Sequence, residues 1–106
     1  MKEINVGLIG YKFMGKAHTN ALSRVGLFFD PSFKINLRAI CGRDKDWVAE
    51  NSRKYSFESY ETDWRRLVER DDIDVIDITA PSNVHKEIAV EAAKHGKHIF
   101  CEKPID

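Results

Sequence analysis

The sequence predicts an α/β fold, a doubly wound parallel sheet with its strands in the order 3-2-1-4-5. Three observations point there. Short runs rich in Ile, Val and Leu alternate with helical patterns of about ten to fifteen residues, the rhythm of parallel strands joined by crossover helices. The first run passes into a helix through glycines with no polar spacer. The length, 106 residues, fits one domain, in which about two-thirds of the unfolded surface becomes buried.

Composition narrows the class of protein. Seventeen basic residues cancel seventeen acidic ones, so no field of one sign is available to hold nucleic acid or an anionic membrane. No apolar run approaches the roughly 18 residues of a membrane span, and no cationic start precedes a short apolar segment. A cytoplasmic protein is expected. Cys41 and Cys101 each end a strand-like run. In the order 3-2-1-4-5 three strand spacings of about 4.8 Å separate them, beyond the reach of a disulfide. Both are expected as reduced thiols.

The first strand carries Ile4, Val6, Leu8 and Ile9 and breaks at Gly10. A glycine turn between strand and helix leaves helix amides pointing into a crevice, where they and the helix dipole attract a pyrophosphate. The dinucleotide fingerprint G-x-G-x-x-G is met here by Gly10-Tyr11-Lys12-Phe13-Met14-Gly15, with lysine in the middle glycine position. Lys12 either displaces the phosphates slightly or turns its stem outward, and its ammonium can pair with a phosphate. The competing reading is a tight turn with no ligand. Beyond it Met14, His18, Ala21, Leu22 and Val25 form one helical stripe, closed by Gly26. His18 reads as a packed histidine. Leu27 to Phe33 is an aromatic loop broken by Pro31.

Lys34 to Cys41 is the second strand, and Gly42-Arg43-Asp44 turns it into a helix with Asp44 as N-cap. In a dinucleotide fold this tip meets the adenosine ribose, where a carboxylate selects NAD and an arginine accepts the 2′-phosphate of NADP. Arg43 therefore leans the choice towards NADP. Two alternatives stay open: Asp44 turns to the ribose instead of capping, or Arg43 is a solvated turn residue. Trp47, Val48, Asn51 and Tyr55 line the following helix, Phe57 to Tyr60 form a short edge strand, and Thr62 or Asp63 caps a helix bearing Trp64, Leu67 and Val68. Arg65, Arg66, Glu69 and Arg70 read as a solvated face.

Asp72 to Thr79 is the fourth strand, central by its isoleucines, with Asp77 a buried carboxylate that needs a partner. Its exit, Thr79-Ala-Pro-Ser-Asn-Val-His85, is extended, with Pro81 fixing the backbone. Ser82 or Asn83 caps the next helix, Val84, Ile88, Ala89 and Ala92 face inward, and Gly96 stops it. Lys97 to Cys101 is the fifth strand and delivers Glu102-Lys103-Pro104 to the rim that holds Gly10 and Pro81. His95, His98 and Cys101 are spaced suggestively for zinc, but a fourth ligand is missing, so no metal is assigned. Four turns, at Gly10, Arg43, Pro81 and Lys103, thus converge where ligands bind in such sheets, beyond the carboxyl ends of the strands.

Three segments together resemble the Gfo/Idh/MocA family of NAD(P)-dependent oxidoreductases. They are Gly7 to His18, Ile73 to His85 with its Pro-x-x-x-His exit, and Gly96 to Pro104 with Glu-Lys-Pro. The resemblance implies a Rossmann-type doubly wound sheet over residues 1–106 and NAD(P) as cofactor. It further implies that Gly10, Tyr11, Lys12, Phe13 and Met14 hold the pyrophosphate. Thr79, Ala80, Pro81 and Asn83 line the ribose and nicotinamide, with Glu102 and Lys103 beside them. Lys103 is the catalytic candidate. An ammonium near the reacting hydroxyl stabilises the alkoxide that builds up as hydride leaves carbon. His85 matches the motif, in a capping or packing role as much as a cofactor-binding one.

The family's carboxy-terminal substrate domain is missing from these residues, so the chain reads as an amino-terminal piece, inactive by itself. The expected partners are the dinucleotide, a sugar-like substrate of the full-length protein and further copies of the same chain. The rivals are a non-catalytic nucleotide-binding or sensing module and a transferase using S-adenosylmethionine. Neither gives a reason for Lys103 on the rim.

Overall fold

A computed structural model describes residues 3–10, 32–79 and 82–101, and for residues 82–85 and 101 the backbone alone. Its elements are β1 (Glu3–Ile9), β2 (Lys34–Cys41), α1 (Lys45–Lys54), β3 (Ser59–Glu61), α2 (Trp64–Glu69), β4 (Val75–Ile78), α3 (Ser82–Lys94) and β5 (His98–Cys101). All strand pairs are parallel and the order is β3-β2-β1-β4-β5, as the sequence predicts.

The alternation of side chains along each strand sorts the core into two layers. Ile9, Ala39, Cys41, Ile76 and Ile78 face α2 and α3, where Leu67, Val68, Ile88 and Ala92 close over them. Leu8 and Ile40 face the other way and pack with Val48 of α1 and with Phe57. Helices on opposite faces follow from right-handed crossovers that run one way from β2 to β3 and the other way from β4 to β5. Asp77 lies on the α1 side of the sheet, in register with Leu8 and Phe100, and is fully buried.

One irregularity keeps both layers filled. The register shifts between Val6 and Gly7, which pair with Leu37 and Ala39, so Arg38 is an extra residue in β2. Strict alternation from Leu37 would turn Ile40 out of the layer that holds Leu8. The bulge restores it. Arg38 instead reaches sideways, its Nη2 donating to Asn5 Oδ1 at 3.0 Å and its Nε lying 3.4 Å from Glu58 Oε2.

Two helices end in the same hydrogen-bonded cap. At the end of α3 the Lys97 amide donates to Ala92 O and the Gly96 amide to Ala93 O, with Gly96 at φ +73°. At the end of α1 the Phe57 amide donates to Ser52 O and the Ser56 amide to Arg53 O, with Ser56 at φ +60°. Both are Schellman motifs, which require a left-handed residue. The second corrects the expected start of the third strand: Phe57 is the buried residue that completes the cap, and β3 begins at Ser59.

The fourth and fifth strands are likewise shorter than expected, for physical reasons. Asp72 belongs to the turn before β4 and is held by Arg70, while Asp74 already pairs with β1 through its amide to Asn5 O at 2.8 Å. Lys97 belongs to the α3 cap, and its ammonium donates to the carbonyls of Arg70 and Ile73. Asp63, rather than Thr62, caps α2 by accepting from the Arg65 amide at 3.0 Å.

Arg70 is no part of a solvated face. Its guanidinium binds Asp72 through Nε at 2.9 Å and Nη2 at 2.7 Å, and its Nη1 reaches Ser59 Oγ at 3.0 Å and Glu61 Oε2 at 3.3 Å. The side chain ties the turn before β4 to the edge strand. Arg65 does face water, stacking on Trp64 and pairing with Glu87 of α3.

Candidate functional site

The sheet ends in one straight row. Glu61, Cys41, Ile9, Ile78 and Cys101 stand side by side as the last residues of β3, β2, β1, β4 and β5. In a parallel sheet every strand then exits on the same side. Gly10, Gly42-Arg43 and Thr79 therefore leave at one rim, and β5 ends level with them. The strand order reverses between β1 and β4, which places the switch point, and the crevice such sheets use for ligands, at Ile9 and Ile78.

Hydrogen bonds fix this rim. The Gly10 amide donates to Cys41 O at 2.9 Å and the Gly42 amide to Glu61 O at 3.2 Å. The Gly10 N–H is thus engaged by the sheet, and the expectation that the turn frees amides for a phosphate passes to the residues after it. Across the switch point Thr79 donates twice to Ile9 O, from its amide at 3.0 Å and from its hydroxyl at 2.7 Å.

At the β2 tip Gly42 is buried and Arg43 and Asp44 are exposed. Asp44 is the N-cap of α1, its Oδ1 accepting from the Trp47 amide at 3.1 Å. The capping alternative therefore holds, with one carboxylate oxygen committed to it. Trp47 was legible only as a helix residue, yet its ring lies against Gly42. A Cβ placed on Gly42 would come within 2.8 Å of the indole Cζ3. Beneath the tip, Cys41 is a free, buried thiol. Burial, reinforced by the Asp63 and Glu61 carboxylates, pushes its pKa up to about 12.

Of the other candidate residues, Asn83 and His85 fall in the first turn of α3, described there by backbone alone. Tyr11, Lys12, Phe13, Met14, Ala80, Pro81, Glu102 and Lys103 lie outside the described residues, as do His18 and the aromatic loop up to Pro31. Among the described residues no group of three His, Cys, Asp or Glu could hold a metal, and no helix is long and apolar enough to cross a membrane. A concavity of about 430 Å³ lies at the opposite end of the sheet, lined by Glu3, Lys34, Asn36, Arg38, Ser56 and Glu58. It borders the half of β2 that lies before the β3 ladder, away from the switch point.

A parallel sheet of this order with a glycine directly after its central strand, at the switch point, defines a nucleotide-binding α/β domain of the Rossmann type. The family model described as the oxidoreductase family, NAD-binding Rossmann fold, matches residues 4–106. The chain belongs to this Gfo/Idh/MocA family. Levoglucosan dehydrogenase of Pseudarthrobacter phenanthrenivorans is 43% identical over 106 residues, covering 99% of this chain and 27% of that protein. Myo-inositol 2-dehydrogenase of Thermotoga maritima is 29% identical over 102 residues, covering 96% of this chain and 28% of that protein. Among solved structures, levoglucosan dehydrogenase in complex with NADH and levoglucosan superposes with a TM-score of 0.83 at 43% identity, over 97% of this chain and 28% of that one. The chain thus spans just over a quarter of the length of these relatives.

Proposed function

We propose that residues 1–106 form the cofactor-binding domain of an oxidoreductase that passes a hydride between a carbinol carbon of a sugar-like or polyol substrate and a nicotinamide dinucleotide. The substrate domain lies outside these residues. The observation that carries the reading is the common rim: Gly10, Gly42-Arg43 and Thr79 leave neighbouring strands at the switch point, and β5 ends beside them. The relatives, levoglucosan dehydrogenase and myo-inositol 2-dehydrogenase, support the substrate class.

The rim suits a dinucleotide. Two glycines follow β1 and β2, and the exposed guanidinium of Arg43 offers charge to a phosphate or a stacking surface to adenine. Bound NAD(P) would supply the hydride-accepting nicotinamide. The chain's own residues do the rest. Gly10 to Met14 hold the pyrophosphate, with Lys12 offsetting its charge. Thr79, Ala80, Pro81 and Asn83 line the ribose and nicotinamide, and His85 belongs to the same cofactor-binding set. Glu102 and Lys103 stand beside the nicotinamide, and the Lys103 ammonium stabilises the developing alkoxide.

Both cofactors fit this reading. Arg43 and the lack of a carboxylate at position 42 favour NADP, whereas the related levoglucosan dehydrogenase has been solved with NADH. A cytoplasmic homo-oligomer is the setting that suits a reduced Cys41 and a soluble dehydrogenase. Titration of the full-length protein with NADH, NADPH and S-adenosylmethionine, followed by nicotinamide or tryptophan fluorescence, tests the reading. Saturable binding of a reduced nicotinamide is expected, and binding of S-adenosylmethionine alone would sink it.

A further inference from the structure

We propose that Trp47 keeps position 42 without a side chain, and so without the carboxylate that would turn away a 2′-phosphate on the adenosine ribose, by filling the space that any side chain there would need. The inference rests on the dinucleotide reading above. Gly42 directly follows the last residue of β2, and its amide is held by Glu61 O at 3.2 Å, so its backbone is fixed. A Cβ there would sit 2.8 Å from Cζ3 and 3.1 Å from Cε3 of the Trp47 ring. Real Cβ atoms do not approach a ring that closely, so one of the two residues must give way.

The indole is poorly placed to yield. The Trp47 amide is bound by Asp44 Oδ1, its carbonyl accepts from Asn51 Nδ2 at 2.8 Å, and its ring packs against the cluster of Leu8, Ile40, Val48 and Phe57. An acidic residue at the strand tip, the usual device for rejecting a 2′-phosphate, is therefore excluded by an aromatic ring five residues further on. The charge left at the tip is the exposed Arg43, beside an Asp44 whose Oδ1 is engaged in the cap. Nothing at position 42 repels the phosphate, and the site admits NADPH as well as NADH.

The test uses the full-length protein in four forms: wild type, Gly42→Asp, Trp47→Ala and the double variant. Dissociation constants for NADH and NADPH are read from nicotinamide fluorescence and melting temperatures from circular dichroism. Wild type and Trp47→Ala should each bind the two cofactors within about tenfold of one another, since no like-charge contact separates them. Gly42→Asp should weaken both and melt earlier. The double variant should recover NADH and bind NADPH weaker by on the order of a hundredfold, because a carboxylate then meets the 2′-phosphate.

A Gly42→Asp protein that melts like wild type and already excludes NADPH would overturn the proposal, as would a double variant with the wild-type preference. Should the aspartate forms not fold, Gly42→Ala against Gly42→Ala/Trp47→Val decides. Recovery of the melting temperature by the second change upholds the collision, and no recovery overturns it. Failure of wild type to bind either cofactor would remove the dinucleotide reading instead, with the collision still readable from the melting temperatures.

Discussion

Thr79 binds the carbonyl oxygen of Ile9 twice, with its amide at 3.0 Å and its hydroxyl at 2.7 Å, closing the sheet at the point where the strand order reverses. Replacing Thr79 with Val keeps the shape and the amide bond and loses the hydroxyl bond. The expected cost is about 1 kcal/mol of unfolding free energy, the usual net worth of such a bond. Thr79→Ser should keep most of it. Urea unfolding of the two variants checks this, and a loss in Thr79→Ser with none in Thr79→Val would show that the methyl group matters rather than the hydroxyl.

The two Schellman caps predict changes of opposite sign. Gly96→Ala forces a Cβ into a left-handed residue and should destabilise by about 1 kcal/mol. Ser56→Gly removes that strain and, after the entropy that glycine loses on folding, should stabilise by about 0.5 kcal/mol. Thermal melts of both variants beside wild type decide the matter. A stabilising Gly96→Ala would contradict the cap geometry.

Cys41 predicts a pH dependence. Its folded pKa of about 12 exceeds the ordinary 9.0, so the folded state holds the proton more tightly than the unfolded one. The stabilisation is therefore fully present below pH 9 and declines as pH rises towards 12. Against Cys41→Ala, wild type should lose stability more steeply over that interval, measured by urea unfolding. At pH 8 the folded thiol should also resist iodoacetamide, because the reactive thiolate is scarce and buried.

Arg70 predicts a second pH dependence at the acid end. The hydrogen bonds from Arg70 hold the Asp72 carboxyl below its ordinary range. The contribution of Asp72 is present above about pH 4 and disappears as pH falls through the lowered value. Arg70→Met should destabilise by about 2 kcal/mol at pH 7, as hydrogen bonds to charged partners are lost. The gap from wild type should narrow towards pH 2. A gap constant with pH would show that the aliphatic stem, not the guanidinium, carries the effect.

Particular residues show what was legible in the chain. The apolar runs at Ile4–Ile9, Lys34–Cys41 and Ile73–Ile78 announced strands because burial on both faces leaves little room for polar residues. Gly96 and Asp44 announced a stop and a cap because each answers a local backbone need. Arg70 reads as solvated in the sequence because its partners Ser59 and Glu61 lie on another element, and sequence spacing carries no information about that meeting. The start of β3 is not legible from spacing, because Phe57 looks like a strand residue while the left-handed Ser56 makes it part of a helix cap.

The sequence by itself determined the alternation of strands and helices, and with it the strand order and the edge at which strands, glycines and Arg43 come together. Local propensity and the handedness of crossovers suffice for that. The tertiary structure alone decided that Arg38 bulges so that Leu37 and Ile40 share a face, that Thr79 closes onto Ile9, and that the indole of Trp47 stands where a side chain at Gly42 would go. These are matters of register and close packing between separate elements. They are settled to fractions of an ångström by what the neighbouring layer leaves room for.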